Sequence, residues 1–553
     1  MKIKKHYIVI AALLLVGCSK KGSSAGNPPP PPPASFLLSS ATVNGKTTAA
    51  INYDISTTPV IRLSFTAPVD HASATAAITL SDKTITLAPS FANGDSTVLI
   101  QPSTLKHFTT YTLQVATSLQ SQAKGALTTA YTLKFTTSID STDKFPRVSD
   151  SALLDLVQQQ TFTYFWDFGH PVSGMTRERT TSGDVVTTGG TGFGIMAMLA
   201  ASQRNFITRA QALARITTIV SFLTTKSTRF HGAFSHWING ATGATVPFST
   251  QDDGGDIVET SYLVQGLLCA RQFFNSTTDA GEANLRTAIN DLYAAVDYNW
   301  YRQNGQNALY WNWSPDFAWA INLKIAGWNE ALIAYVLAAS APTNPIPKTV
   351  YDNGWAQNGG MANGKTFYGI KLPLGPDQGG PLFFEHYSFL GIDPRQLQDA
   401  YANYWTQDTA HARINYLYCT GNPKGYYGYS SLCWGLTASD EPSGYSAHSP
   451  TNDNGTITPT AAIASLPYTP TESMNALRFF YYTLGDKCWG QYGFTDAFNL
   501  SSGWFDSDRL AIDQGPEIVM IENYRSGLLW NLFMSCPEVQ QGLKNLGFTS
   551  PHF

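Results

Sequence analysis

DDGGDIVETSYLVQGLL, residues 252–268, carries three aspartates and two glycines straight into an apolar helical pattern that holds one glutamate. A Gly/Asp-rich loop that gives way to such a pattern marks a helix N-terminus. Asp256-x-x-Glu259 has the spacing of a capping box, in which the glutamate at the third helical position bonds back to the chain. The N-terminal end of the helix would also stabilise its anion and lower its pKa. Desolvation inside an apolar helix acts the other way and favours the neutral carboxyl that a general acid needs. Spacing alone favours the cap, and both roles for Glu259 stay open at this point.

Outward from this helix the same 3.6-residue period recurs. Leu153, Val157, Tyr164 and Phe168 share one stripe; Leu213, Ile216, Val220 and Leu223 share another, opened by a cap at Thr208. Further helical runs are expected at residues 285–296, 330–339, 396–418, 474–484 and 518–533. Long loops rich in Gly, Asn, Asp, Trp and Pro separate them, with no strand-helix-strand rhythm. That pattern, over about 400 residues, predicts a mainly α toroid of paired helices rather than a parallel sheet. Ordered loops of such length are usually functional.

Upstream the period changes to two. Between about Ser35 and Ser138, VIRLSFTAPV, AAITLSDKTITLAP, STVLIQP, YTLQVATSL and YTLKFTT alternate apolar and polar residues between Asn-Gly and Pro signals, as in a small antiparallel sandwich. Before it, Lys2, Lys4 and Lys5 precede a short apolar run that ends in Leu15-Val16-Gly17-Cys18, the shape of a bacterial lipobox. The run is too short to span a bilayer, so residues 1–17 read as a signal segment and Cys18 as the site of lipidation. Residues 18–35, with six consecutive prolines, read as a stiff stalk. The expected domains are therefore 36–139, the sandwich, and 145–553, the helical unit. The lysines after Cys18 point to a bacterial membrane, periplasmic face rather than cell surface.

Composition narrows the function. The net charge of -4 and 13% charged residues give no basic field for phosphate backbones, which argues against a nucleic-acid partner. Aromatics also reach 13%, suited either to stacking on sugars or to a large core. The five cysteines after Cys18 show no metal spacing, and a bridge between Cys419 and Cys433 has nothing to support it. There is no GxSxG, HExxH or P-loop lysine, and GGTGFG at 189–194 lacks the dinucleotide spacing; it reads as the opening of a tightly packed helix.

What remains is a set of carboxylates in Gly- and aromatic-rich loops, among them Asp253, Glu259, Glu330, Asp440, Asp453 and Asp513. Glycosidic hydrolysis needs two, one protonated and one ionised. HWING at 236–240, LYWNWSPDFAW at 309–319 and YYGYSSLCWGLTASDEPSGY at 426–445 set Trp, Tyr and His beside acids. Such platforms stack on sugar faces; for any single one, such as Trp311 or Trp434, a place in the core is at least as good a reading.

The runs GGTGFGIMAML, FSHWING, DDGGDIVETSYLVQGLL, GWNEALIAYVLAASAPTNPI, GPLFFEHYSFLGIDPR, CWGLTASDEPSGYSAHSP and AIDQGPEIVMIENYRSGLLW resemble the glucoamylase-like domain of glycoside hydrolase family 144 from about Asp150 to the C-terminus, and 36–139 resembles a bacterial Ig-like domain. The first resemblance implies an (α/α)6 toroid that cleaves β-1,2-glucan internally with inversion. It implies Glu259 as general acid and Asp440 as the residue that helps activate water, with Asp453 in reserve. His236, Trp237, Asp253, Trp313, Glu330, His386, Tyr387, Trp434 and Asp453 are the expected substrate contacts. Glu441, where a smaller residue is expected, would narrow the cleft. No cofactor is expected and no metal is required, although a structural Ca²⁺ among the Asp and Asn loops stays open. The protein is expected to be a monomer with a β-glucan as partner. Two rivals remain: a glycan-binding lipoprotein that has lost catalysis, and a toroidal enzyme acting on another glucan. An enzyme for uronates would need clustered Arg or Lys, and the cleft loops are mostly acidic and neutral.

Overall fold

A computed structural model describes residues 35–553. The lipobox with Cys18 and nearly all of the proline-rich stalk lie outside the described residues. The chain divides into two compact units between Ser138 and Ile139.

The first unit is a two-sheet sandwich. One sheet runs in the order Lys46–Thr47, Leu38–Val43, Ile61–Phe65, Thr97–Ile100, Ser90–Ala92; the other runs Asn52–Ile55, Tyr131–Thr137, Thr110–Val115, Ile78–Leu80. Alternation sorts the side chains: Ile61, Leu63 and Phe65 are buried while Arg62 is exposed between them. The sandwich is not wholly antiparallel, since Asn52–Ile55 pairs in parallel with Tyr131–Thr137. The APVD turn is followed by a helix, His71–Ala77, that Asp70 caps by accepting the N–H of Ser73; such a cap contributes roughly 1 kcal/mol. Of AAITLSDKTITLAP only Ile78–Leu80 is strand. Ile85 and Leu87 still pack on the core, so their alternation reports burial without a ladder.

In the second unit helices of two kinds alternate. Thr188–Gln203, Ile257–Phe273 and Leu332–Ser340 are buried almost all round, and each is followed by partly exposed chain: Arg209–Thr225, Ala280–Ala294 and the region from 341. A helix without a wet face must be inside. Successive buried helices pack on one another, and the late helix Ala511–Ser526 packs on both Pro459–Ala464 and Thr188–Gln203, so the last inner helix meets the first.

The glycine-rich start of the first inner helix is explained by contact. A Cβ at Gly192 would lie 2.1 Å from the carbonyl oxygen of Tyr262, and one at Gly266 would lie 2.2 Å from that of Gly192. The two helices touch backbone to backbone, which brings residues 188–194 against the turn that carries Glu259. Thr208 and Gln211 form the expected cap, each side chain bonding the other's N–H. Two helical expectations needed correction. The run from 396 starts only at Tyr404, capped by Asn403, because residues before it pair with the C-terminal segment through Gln398 and Thr549. The run 518–533 is broken by Gly527, left-handed at φ +69°, into Ala511–Ser526 and Leu528–Met534.

Among the described residues no helix is long and apolar enough to cross a membrane. The five described cysteines are free and buried, so Cys419 and Cys433 are not bridged.

Candidate active site

A cavity of about 450 Å³ opens at one end of the inner helices. Its apolar walls come from Trp237, Phe248, Trp311, Phe383, Tyr387 and Tyr445, and its charged groups from Glu178, Arg179, His236, Glu259 and Glu330. Glu259 stands at the N-terminal turn of Ile257–Phe273. Asp256 caps that turn, its Oδ1 accepting the N–H groups of Val258 and Glu259 at 2.9 Å each. The return bond of a capping box is missing: the N–H of Asp256 donates to the carbonyl of Phe234 instead. The glutamate is thereby released from the cap. Its Oε2 accepts the backbone N–H of Gly189 at 2.8 Å and the hydroxyl of Thr187 at 3.3 Å.

Burial raises the pKa of Glu259; the His236 cation opposes this, Asp256 adds to it, and the bonds from Gly189 and Thr187 moderate it. Burial would lower His236, but the carboxylates of Glu259, Asp256 and Asp252 outweigh that and hold it at about 9. Its Nδ1 lies 3.0 Å from Oδ2 of Asp256, which also accepts the indole N–H of Trp311 at 3.3 Å. Asp256 therefore fixes the acid helix, the imidazolium and one aromatic wall together. Glu330 faces the same cavity and is raised to about 7, by burial first and then by the charges of Glu259 and Asp256.

A second charged group lines the same cavity. Arg179 forks onto Glu178 at 2.9 Å and onto Asp440 at 2.8 Å. Asp440 lies on the hairpin Ala438–Glu441/Gly444–Ala447, whose Ala438, Tyr445 and Ala447 line the cavity, and its N–H donates to Asp496 at 2.7 Å. Asp440 does not itself line the cavity; it borders it through Arg179. Behind it Asp496 is raised by burial and by its neighbour Asp513, and Asp513 by burial to about 7. Both shifts favour the protonated carboxyl and so oppose the build-up of negative charge behind Asp440. Side chains with ligand atoms gather twice, the imidazole of His236 with the carboxylates of Asp252 and Asp256, and the carboxylates of Asp440, Asp496 and Asp506. At each the chain supplies a cation of its own, the imidazolium of His236 and the guanidinium of Arg179.

Of the residues expected from sequence, Glu259, His236, Trp237, Glu330 and Tyr387 meet in this cavity. Others do not. Trp434 is wholly buried, its indole N–H directed to the carbonyl of Glu472, so it belongs to the core. Asp453 accepts the hydroxyls of Tyr418 and Tyr429 at 2.8 and 2.7 Å and braces a loop. His386 is buried behind the cavity on Ser465, with burial holding its pKa at about 3. Asp253 and Trp313 stand beside the cavity without lining it. Glu441 turns to Asn454 and Ser443, so it does not narrow the cleft. Arg179 and Glu178 were missed, because TRERTTSGDVV reads as an ordinary charged turn. The only available signal was a run of polar residues immediately before the glycine-rich helix.

Residues 322–537 match the family described as "Putative glucoamylase", and residues 38–137 match the bacterial Ig-like domain family. An exo β-1,2-glucooligosaccharide sophorohydrolase (non-reducing end) of Parabacteroides distasonis is 48% identical over 421 residues, 72% of this chain and 58% of that protein. The chain thus spans less than two thirds of that relative. The endo-β-1,2-glucanase of Chitinophaga pinensis, solved with sophorotriose and glucose, is 49% identical with a TM-score of 0.72, covering 74% of this chain and 100% of that one. A β-1,2-glucanase structure from Parabacteroides distasonis is 38% identical with a TM-score of 0.71, covering 93% of this chain and 73% of that one.

Proposed function

Because the chain belongs to the glucoamylase-like family of these relatives, we propose that it is a glycoside hydrolase of family 144 that cleaves β-1,2-glucan, internally and with inversion, in an (α/α)6 toroid. The observation that carries the reading is a glutamate released from its own helix cap into an aromatic cavity that is also lined by Arg179, itself paired with Glu178 and Asp440. Glu259 is the general acid: burial keeps its proton, which passes to the glycosidic oxygen as the C1–O bond breaks. A water attacks C1 from the opposite face and loses its proton to a second carboxyl group, which is ionised. Asp440 assists this step, held in place by Arg179. Trp237, Trp311, Tyr387 and Tyr445 offer faces on which pyranose rings stack, and Glu330 and His236 offer polar atoms to hydroxyls.

The test uses residues 36–553 with linear β-1,2-glucan beside β-1,3-, β-1,4- and α-1,4-glucans, resolving products by size over time. Mixed short β-1,2-oligosaccharides are expected. Sophorose alone from the first time point would replace internal with terminal cleavage, and silence on every glucan with binding retained would favour a non-catalytic binding protein. The α-anomer should be released first, as seen by polarimetry or NMR; a β-anomer would end the inverting assignment.

The proposal extends to the leader. Cys18 would carry a lipid that anchors a monomeric enzyme to the periplasmic face of a bacterial membrane. Labelled palmitate incorporated by the full chain but not by Cys18→Ala is the expected result, and equal labelling would refute it.

A further inference from the structure

Exposed large apolar side chains cluster next to the cavity. Trp300, Phe317, Ile321 and Leu323 are 38%, 43%, 36% and 49% exposed, and Phe248 and Tyr445 stand exposed on the cavity rim. The first four belong to one arm, residues 310–324, together with the short helix Trp300–Arg302 beneath it. A soluble surface rarely gathers so many without a ligand for them.

The arm is a built structure. Tyr310 bridges to Lys324 and Ser314 to Ala318, and the Ser314 hydroxyl accepts the N–H groups of Asp316 and Phe317 at 3.1 and 2.8 Å. Ala318 and Asn322 are held left-handed, at φ 52° each. For alanine that conformation is strained and persists only where the surroundings impose it. Beneath the tip the rings are ordered: His231 stacks on Trp300 at 3.7 Å, Trp313 meets Trp300 edge-on at 6.3 Å, and Trp319 lies 6.5 Å away at 34°.

The arm is continuous with the cavity wall. The N–H of Trp311, which lines the cavity, donates to the carbonyl of Leu323 at 2.8 Å. Asn312 and Trp313 pair with Asp256 and Gly255, the residues that open the acid helix. The apolar surface thus starts at the general acid's own cap and runs outward.

We propose that this arm is a second sugar-binding surface, on which Trp300, Phe317 and Leu323 hold glucosyl units of the same glucan chain beyond those inside the cavity. The inference rests on the glucanase reading above. Pyranose C–H faces suit exposed aromatic rings, and the arm's few charges are mixed in sign, Lys324 and Arg302 with Asp316, which suits a neutral ligand better than an anionic one. A chain long enough to lie across both surfaces gains affinity from the second; a short oligosaccharide that fills only the cavity does not.

The experiment compares wild type with Trp300→Ala and with the double variant Phe317→Ser/Leu323→Ser, whose side chains are exposed and whose backbone bonds do not depend on them. kcat/KM is measured on polymeric β-1,2-glucan and on short β-1,2-oligosaccharides, with thermal midpoints as a control for folding. The expected result is a fall of about tenfold on the polymer, as for loss of one aromatic anchor, with the short substrates unchanged. An active wild type whose variants keep full activity on both substrates, or lose it equally on both, overturns the arm while leaving the glucanase reading intact. A wild type that self-associates in sedimentation, with the double variant monomeric and glucan kinetics unchanged, would make the arm an interface between copies and also overturn it. A wild type inactive on β-1,2-glucan would sink both readings together.

Discussion

Oε2 of Glu259 accepts the backbone N–H of Gly189 at 2.8 Å, so the carboxyl at the start of one inner helix is held by the first turn of another. Two helix N-termini therefore act on one carboxyl, and both favour its anion. Burial acts against them and prevails, leaving the pKa raised. An acid balanced in this way can hold a proton in the resting site and still release it to a substrate oxygen.

Glu259→Gln should lower kcat on β-1,2-glucan by roughly 10²–10⁴, the usual contribution of a general acid. The amide oxygen of glutamine can still accept the N–H of Gly189, so the thermal midpoint should stay close to that of wild type. A substrate whose leaving group needs no proton, such as a glycosyl fluoride, should recover most of the lost rate. Full activity on the polymer would remove Glu259 from the acid's role.

Gly189→Ala tests the same contact from the other side. A Cβ there would lie 2.6 Å from Oε2 of Glu259 and 2.9 Å from Cδ2 of Tyr262. The carboxyl has to move, and a displacement on that scale costs about 10²-fold in rate, alongside about 1–3 kcal/mol of stability from overpacking. Steady-state kinetics with chemical denaturation checks both. A variant with wild-type kcat would show that the placement of the acid does not matter.

The helical unit was legible because its inner helices carry long apolar runs and because caps such as Thr208 and Asp256 are residue types whose short side chains reach the first free N–H groups. The breaks were not legible: Gly527 sits between two helical runs of the same period, and the late start at Tyr404 is set by the pairing of Gln398 with Thr549, 151 positions away. For the site, periodicity placed Glu259 on its helix but could not say that Phe234 would take the Asp256 N–H and free the glutamate. Trp434 and Trp237 look alike in sequence, each beside a glycine-containing loop; only packing decides that one is core and the other wall. Arg179 escaped notice because its meaning depends on Asp440, 261 residues further on.

Arg179 and Asp440 should fail together. Asp440→Asn is expected to lower kcat by about 10²–10⁴ if Asp440 assists water. Arg179→Met, which leaves Glu178 and Asp440 without their shared cation, should cost a comparable factor. Glu178→Gln, though its residue lines the cavity directly, should cost about tenfold or less. Azide added to Asp440→Asn should restore turnover as a β-glycosyl to α-azide inversion. The reverse ranking, with Glu178→Gln the more damaged variant, would transfer the base's role to Glu178.

His236→Asn should shift the alkaline limb of the pH–kcat profile. His236, raised to about 9 chiefly by the Glu259 carboxylate, in turn stabilises the Glu259 anion. Removing that charge makes ionisation of Glu259 harder, so its pKa rises and the limb on which the acid loses its proton moves to higher pH. A limb that stays in place, or moves to lower pH, would show that His236 does not set the acid's proton affinity.

Glu517 offers a test of stability away from the cavity. It is wholly buried on the Ala511–Ser526 helix, with Oε2 accepting the hydroxyl of Thr161 at 2.9 Å and Oε1 unpartnered among the described residues. Burial pushes its pKa from an ordinary 4.5 up to about 8. The sign follows from where the proton sits. Below pH 4.5 the carboxyl is protonated in both folded and unfolded chains, and its contribution is fully present. Between 4.5 and 8 the unfolded chain gives up the proton while the folded chain keeps it, so stability falls with rising pH by up to about 1.4 kcal/mol per unit. Glu517→Gln cannot titrate. Its unfolding free energy, measured with denaturant across this range, should therefore decline less steeply than that of wild type, with the gap in favour of the variant widening towards pH 8. Other buried acids, such as Glu385 and Asp408, tilt both profiles in the same direction, so the difference between the two isolates this one proton. Parallel profiles would mean that Glu517 is ionised in the folded protein, with a counter-charge or water reaching Oε1.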